Sequence, residues 1–132
     1  MSASATATEQ EAIAATVQLY IDGVSAGDTA KLKQAFHEQA WMFGALGDQR
    51  VDMPINQMIE MAAAQPMNAA GTYEATITSV EQVDDAAVAR LEESGCWGGV
   101  SFVDFFLLSR INGSWVIVGK NFAHTGGEMP AP

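Results

Sequence analysis

Apolar residues in the first quarter of the chain recur with helical spacing. Ile13, Val17, Tyr20, Ile21 and Val24 stand at i, i+4, i+7, i+8 and i+11, one stripe of a helix about five turns long. Gly27 supplies a stop, and Asp28 can cap the free backbone N–H groups of a second short helix carrying Leu32, Ala35 and Phe36. Trp41 to Leu46 reads as a short strand ended by Gly47-Asp48. Pro54 opens a third helix with Ile55, Met58, Ile59 and Ala62 facing inward, and Pro66 stops it. Beyond Gly71 the period shortens to that of strands, at 72–83, 86–96, 100–111 and 114–124. The breaks are Asp84-Asp85 and Asn112-Gly113, the second suited to the positive φ angles of a type I′ turn. Three helices before an antiparallel meander predict an α+β fold with the helices on one sheet face. The folded domain is expected at 9–125, with residues 1–8 and 126–132 as loose tails of small, polar or helix-breaking residues.

The last hairpin is apolar on both faces. Counting back from a two-residue turn at Asn112-Gly113 puts Asp104 opposite Asn121 and Phe105 opposite Lys120. Asp104 then shares a face with Phe102, Phe106, Leu108, Trp115 and Ile117. Val103, Phe105, Leu107, Val116, Val118 and Phe122 form the other face. A sheet apolar on both sides needs two covers, the helical layer and, most simply, a second copy of the chain. A homodimer through the sheet is the expectation.

The whole is 132 residues with 48% hydrophobic content and a formal charge of −10, the size of one domain with one core. The six Lys and Arg are scattered, so polyanions are repelled and nucleic acid is not an expected partner. The first residues lack a basic and an apolar leader region, and no apolar run is long enough to span a bilayer, so neither export nor a membrane is expected. The lone Cys96 cannot form an internal disulfide and suits a reducing cytoplasm, reading as a small buried side chain. Neither His37 nor His124 has acidic partners at ligand spacing, and no phosphate loop, dinucleotide fingerprint or nucleophile elbow occurs; no metal and no cofactor are expected.

Asp104 is the first candidate for chemistry, because a carboxylate inside an apolar strand is costly unless paired or protonated. Set among Phe102 and Phe106, its acid form would persist at neutral pH and donate a hydrogen bond. The structural alternative is a strand carboxylate bonded to Asn121 or Arg110. Tyr20 lies on the buried helix face, either as a pocket hydroxyl or as a core aromatic with a satisfied tip. His37 ends the second helix, where the helix dipole favours a cation. Glu92 and Arg90 line a cavity wall or a solvated strand face, and Lys120 stands at a dimer contact or a rim.

Tyr-Ile-Asp-Gly-x-x-x-Gly-Asp from Tyr20 to Asp28, Ala35-Phe36-His37, and the closing Asp-Phe-Phe-x-Leu and Asn-Gly-x-Trp-x-Ile-Val-x-Lys-x-Phe runs carry a resemblance. Over residues 9 to 125 the chain resembles the nuclear transport factor 2-like superfamily, most closely its bacterial branch of "putative lumazine-binding" proteins. The resemblance implies a cystatin-like cone, a curved antiparallel sheet wrapped around three helices with an internal pocket, commonly dimerised through the sheet. Ketosteroid isomerases of that superfamily pair a tyrosine seven residues before a Gly-Asp corner with a protonated strand aspartate as an oxyanion hole. Tyr20 and Asp104 match those positions. The isomerase base falls on Gly44 here, which cannot move a proton. The implied function is binding of a small apolar or aromatic molecule by Tyr20, Asp104, Asn121, Phe102 and Phe106. The alternative is a dehydratase- or polyketide-cyclase-type enzyme with Asp104 as general acid/base and His37 assisting.

Overall fold

A computed structural model of the chain describes residues 2–128, with side chains from residue 8 on. Helix α1 spans Ser2–Ala26, and its buried face is Ile13, Val17, Tyr20 and Val24, each no more than 1% exposed. Helical backbone reaches back to Ser2, through the stretch that the sequence suggests as a tail; Ala3, Ala5 and Ala7 carry the highest helix propensity. Gly27 ends the helix at φ +73°, where a Cβ would also meet the Ala62 carbonyl at 3.1 Å. Asp28 then caps α2 (Thr29–Ala35), its carboxylate accepting from the Lys31 N–H. Helix α3 (Ile55–Ala64) turns Ile55, Met58, Ile59 and Ala62 inward, as its spacing predicts. No helix among the described residues is long and apolar enough to cross a membrane.

The strands are β1 (Phe36–Leu46), the two-residue β2 (Gln49–Arg50) and β3 (Met53–Pro54), β4 (Glu74–Val83), β5 (Ala86–Cys96), β6 (Val100–Ile111) and β7 (Ser114–Gly126). They form one sheet in the order β2-β1-β7-β6-β5-β4, with β3 also on β1. From β4 to β7 the meander is antiparallel. The sheet is not antiparallel throughout, because β1 pairs with β7 in parallel. β1 is also longer than the predicted 41–46: Glu38 and Gln39 are both exposed across a register shift between Phe36 and Trp41, and this bulge interrupts the alternation that marks a strand. Of the expected C-terminal tail, Gly126 closes β7, and 129–132 lie outside the described residues.

The helices fill the concave face of the sheet. Tyr20 packs edge-on against Phe36 and Phe106 at centroid distances of 5.9 and 4.8 Å, and Thr16 donates to the Trp115 carbonyl, tying α1 to β7. The convex face is left with Trp41, Phe43, Phe105 and Leu107 exposed.

Candidate functional site

A single extra residue decides which side chains enter the cone. Near the turn the pairing follows the count from Asn112-Gly113, with Arg110 opposite Trp115 and Leu108 opposite Ile117. Leu107 then pairs with Gly119, so Val118 has no partner and forms a bulge. Beyond it every β7 residue changes face relative to the straight count. Asp104 lies opposite Phe122 rather than Asn121, Phe105 opposite Asn121, and Phe106 opposite Lys120. Three expectations are corrected. Asn121 is exposed on the convex face, Phe122 is buried on the concave face, and Lys120 is 6% exposed inside the cone rather than at a rim.

Asp104 stands at the centre of this face, 1% exposed, between Phe102 and Phe106 along β6 and between Leu91 and Phe122 across the sheet. Glu93 and Lys120 occupy its diagonals, where Cβ atoms lie about 7–8 Å away, within reach of long side chains. Glu93 is 3% exposed and accepts from the Tyr73 hydroxyl at 2.6 Å through Oε2. Its Oε1, both Asp104 carboxyl oxygens and the Tyr20 hydroxyl are buried with no hydrogen-bonded partner. Held in its acid form, Glu93 can donate to the Asp104 carboxylate and satisfy oxygens on both groups. Burial, then the Asp104 carboxylate beside it, pushes the Glu93 carboxyl well above the usual range, against the pull of Lys120. Burial and the same two carboxylates raise the Tyr20 phenol and the Cys96 thiol, and burial and Glu93 raise Tyr73. Cys96 is therefore inert. The sequence-based partners of Asp104 form elsewhere: Arg110 binds Asp85 at 2.6 Å and also Glu9, fixing the last hairpin against α1.

Lys120 carries the cluster's positive charge. Its Nζ lies 5.2 Å from the Tyr20 ring centroid, 4.9 Å from that of Phe122 and 3.4 Å from Met42 Sδ. Among the described residues no carboxylate oxygen comes within 4.0 Å of it.

Beside Lys120 lies a cavity of about 80 Å³, walled by Val24, Met42, Met58, Met61, Met67 and Phe122, with Trp97 and Phe102 also in its lining. Tyr20 and Phe102 line it. Asp104 and Phe106 do not, whereas Lys120 does. Gly44 is covered by Phe122, whose ring would clash with any Cβ added there. The Gly44 N–H donates to Asp52 at 3.0 Å, and Arg50 binds Asp52 as well; this pair holds the Asp52 carboxyl below its usual range and fixes the loop that brings Leu46 and Val51 to the cavity.

His37 and His124 stay outside the cluster. His37 accepts from the Gln39 N–H beside it, and His124 accepts from the Gly47 N–H at 3.0 Å while its ring sits 5.8 Å from Phe102. Arg90 pairs with Glu92 on the outer side of β5. Among the described residues no group of three His, Cys, Asp or Glu side chains could hold a metal ion.

Sequence reasoning missed Glu93, Tyr73 and Lys120 as site residues. The first was legible: Glu93 shares strand parity with Leu91 and Ala89, which points it inward. The signal for Lys120 is Gly119 inside a strand, a common mark of a bulge.

The family model described as "Putative lumazine-binding" matches residues 8–123. An NTF2-like protein of unknown function from Silicibacter pomeroyi is 26% identical with a TM-score of 0.82, covering 91% of this chain and 98% of its own. A second, from Shewanella baltica, is also 26% identical, with a TM-score of 0.81 over 92% and 97% of the two chains. The curated aldolase FrzH of Cladobotryum sp is 21% identical over 117 residues, 89% of this chain and 92% of the relative. A cone built of three helices on a curved mixed sheet, with a buried polar cluster at an apolar cavity, thus belongs to the "Putative lumazine-binding" family of the NTF2-like superfamily.

Proposed function

We propose that the protein binds a small apolar or aromatic molecule carrying one anionic or carbonyl oxygen, held with that oxygen toward Lys120 and Tyr20. The observation that carries this reading is the cavity's lining, apolar nearly throughout, with Lys120, Tyr20 and Gln65 as its polar members. A space of about 80 Å³ is well below the roughly 300–1,000 Å³ of pockets that enclose drug-sized ligands. Its methionines are unbranched and can swing aside, so the pocket adapts to its occupant. Asn121 is left out of this site.

Titration calorimetry with benzoate and larger aromatic acids tests the reading. Binding weakened about tenfold or more by Lys120→Met, and by Met61→Trp at the half-exposed edge of the cavity, is expected. Affinity unchanged in both variants, or no binding at all, overturns it.

A second reading has a specific support. A carboxyl pair sharing one proton is acid/base equipment, and similarity to an aldolase suits chemistry on carbonyl compounds. In it the Glu93–Asp104 pair supplies and recovers the proton, and His37 takes no part. Asp104→Asn should then lower turnover by about two orders of magnitude while leaving binding within severalfold.

The convex face supports a homodimer. Phe43, Asn121 and Phe105 lie in one row across β1, β7 and β6, and Trp41, Gly119 and Leu107 in the next, with Trp41 stacked on Phe43 at 6.0 Å. Two such exposed rows suit a second copy, with Asn121 in the contact. Leu107→Arg should yield monomers by sedimentation; an unchanged molecular mass would count against this face. The buried single thiol suits a reducing compartment, and we assign the protein to the cytoplasm.

A further inference from the structure

We propose that Lys120 is a covalent nucleophile, forming an imine with aldehydes or ketones that enter the cavity. The inference rests on the binding reading above and goes beyond it by assigning a reaction to the amine.

Three observations on the fold carry it. The bulge at Val118 turns inward a lysine that a straight hairpin would leave on the other face, and bulges recur where a strand must re-aim a side chain into a site. A cation in an apolar interior is costly, so a purely structural lysine would be expected to sit against a carboxylate. Lys120 instead lies against two aromatic rings and a thioether, with no carboxylate oxygen within 4.0 Å among the described residues, while its Nζ reaches the cavity. The groups that an imine-forming lysine needs are also close. Tyr20, whose hydroxyl is buried without a partner, lines the same cavity and supplies a donor for a carbonyl oxygen, and Asp104, diagonal to Lys120 across the sheet, forms with Glu93 a proton store.

The step balances without an oxidant or a cofactor. Lys120 Nζ gives one proton to the carboxyl pair through a water that enters with the substrate, and attacks the carbonyl carbon, forming the C–N bond. The carbonyl oxygen takes a proton from nitrogen to give a carbinolamine. The pair returns its proton to that hydroxyl, which leaves as water as the C=N bond forms. The positive charge that began on the ammonium ends on the iminium, so the buried cluster keeps its charge. Apolar walls favour loss of the water and shield the product from hydrolysis.

The chain offers a clean test, because its lysines are only Lys31, Lys33 and Lys120. The folded protein is incubated with benzaldehyde and cyanoborohydride, and the reduced adduct is located by peptide mass mapping. Benzoate, which has the same ring and a carboxylate that forms no imine, is titrated in parallel. Lys120, though buried, should be trapped at least about tenfold faster than the exposed Lys31 and Lys33, and Lys120→Met should lose that adduct. Labelling confined to Lys31, Lys33 and the N-terminal amine overturns the proposal. If benzoate still binds in that case, the pocket reading stands and only the covalent role falls. If it does not bind, both fall.

Discussion

The two halves of the β6–β7 hairpin are written in similar sequence and end in different chemistry. Between the turn and Val118, Trp115 and Ile117 face Arg110 and Leu108 and pack against α1, a closed apolar core with an ion-paired rim at Arg110, Asp85 and Glu9. Beyond Val118 the same strand turns Lys120 and Phe122 inward, beside Asp104 and Glu93, and a cavity opens. The first half makes the fold rigid. The second half buries four ionisable groups, Tyr20, Glu93, Asp104 and Lys120, with several of their atoms unsatisfied, an arrangement that stability alone would not favour. The contrast teaches that one inserted residue can separate a structural stretch of sheet from a chemical one.

Deleting Val118 attacks that separation directly. It should return β7 to the straight register, expel Lys120 and Phe122 from the cone and destabilise the fold by at least about 4 kcal/mol in urea unfolding. Wild-type stability with the cavity intact would mean that the bulge does not set the face. Next in size, Ile117→Ala on the packed side should cost about 2–5 kcal/mol, because it empties a fully buried site next to α1. On the other side, Lys120→Met fills the same volume without the charge and should shift stability by no more than about 1 kcal/mol at pH 6. Comparable losses in these two variants would erase the difference between the halves.

The smallest effect is in pH. The folded protein holds Glu93 protonated above the range where the unfolded chain releases that proton, so folding takes up a proton there. This contribution to stability is fully present below the unfolded carboxyl value, about 4.3, and falls as pH rises toward the elevated folded value. Thermal melts from pH 5 to 8 should therefore slope downward in the wild type and be flatter in Glu93→Gln. Parallel slopes would show that Glu93 is not held protonated.

Much of this was legible in the sequence. The stripe of Ile13, Val17, Tyr20 and Val24, the Asp28 cap, the Asn112-Gly113 turn and the inward face of β6 all follow from local periodicity and turn chemistry, and all form. Asp104 was legible as an oddity, since a carboxylate at an apolar parity position stands out whatever its partner. Its surroundings were not legible, because register was counted from the turn and a bulge breaks such a count without changing composition. That one shift exchanged Asn121 for Phe122 opposite Asp104 and brought in Lys120. The parallel docking of β1 on β7 was hidden for a related reason, as a pairing between distant segments leaves no trace in either one's pattern.

Inside the cone Lys120 and Glu93 flank Asp104 as one coupled cluster. Carbon NMR of the Glu93 carboxyl across pH, in wild type and in Lys120→Met, reads that coupling. A Glu93 titration well above the ordinary glutamate value is expected, moving higher still once the lysine's charge is removed. A titration near about 4.3 that Lys120→Met leaves unmoved would contradict it.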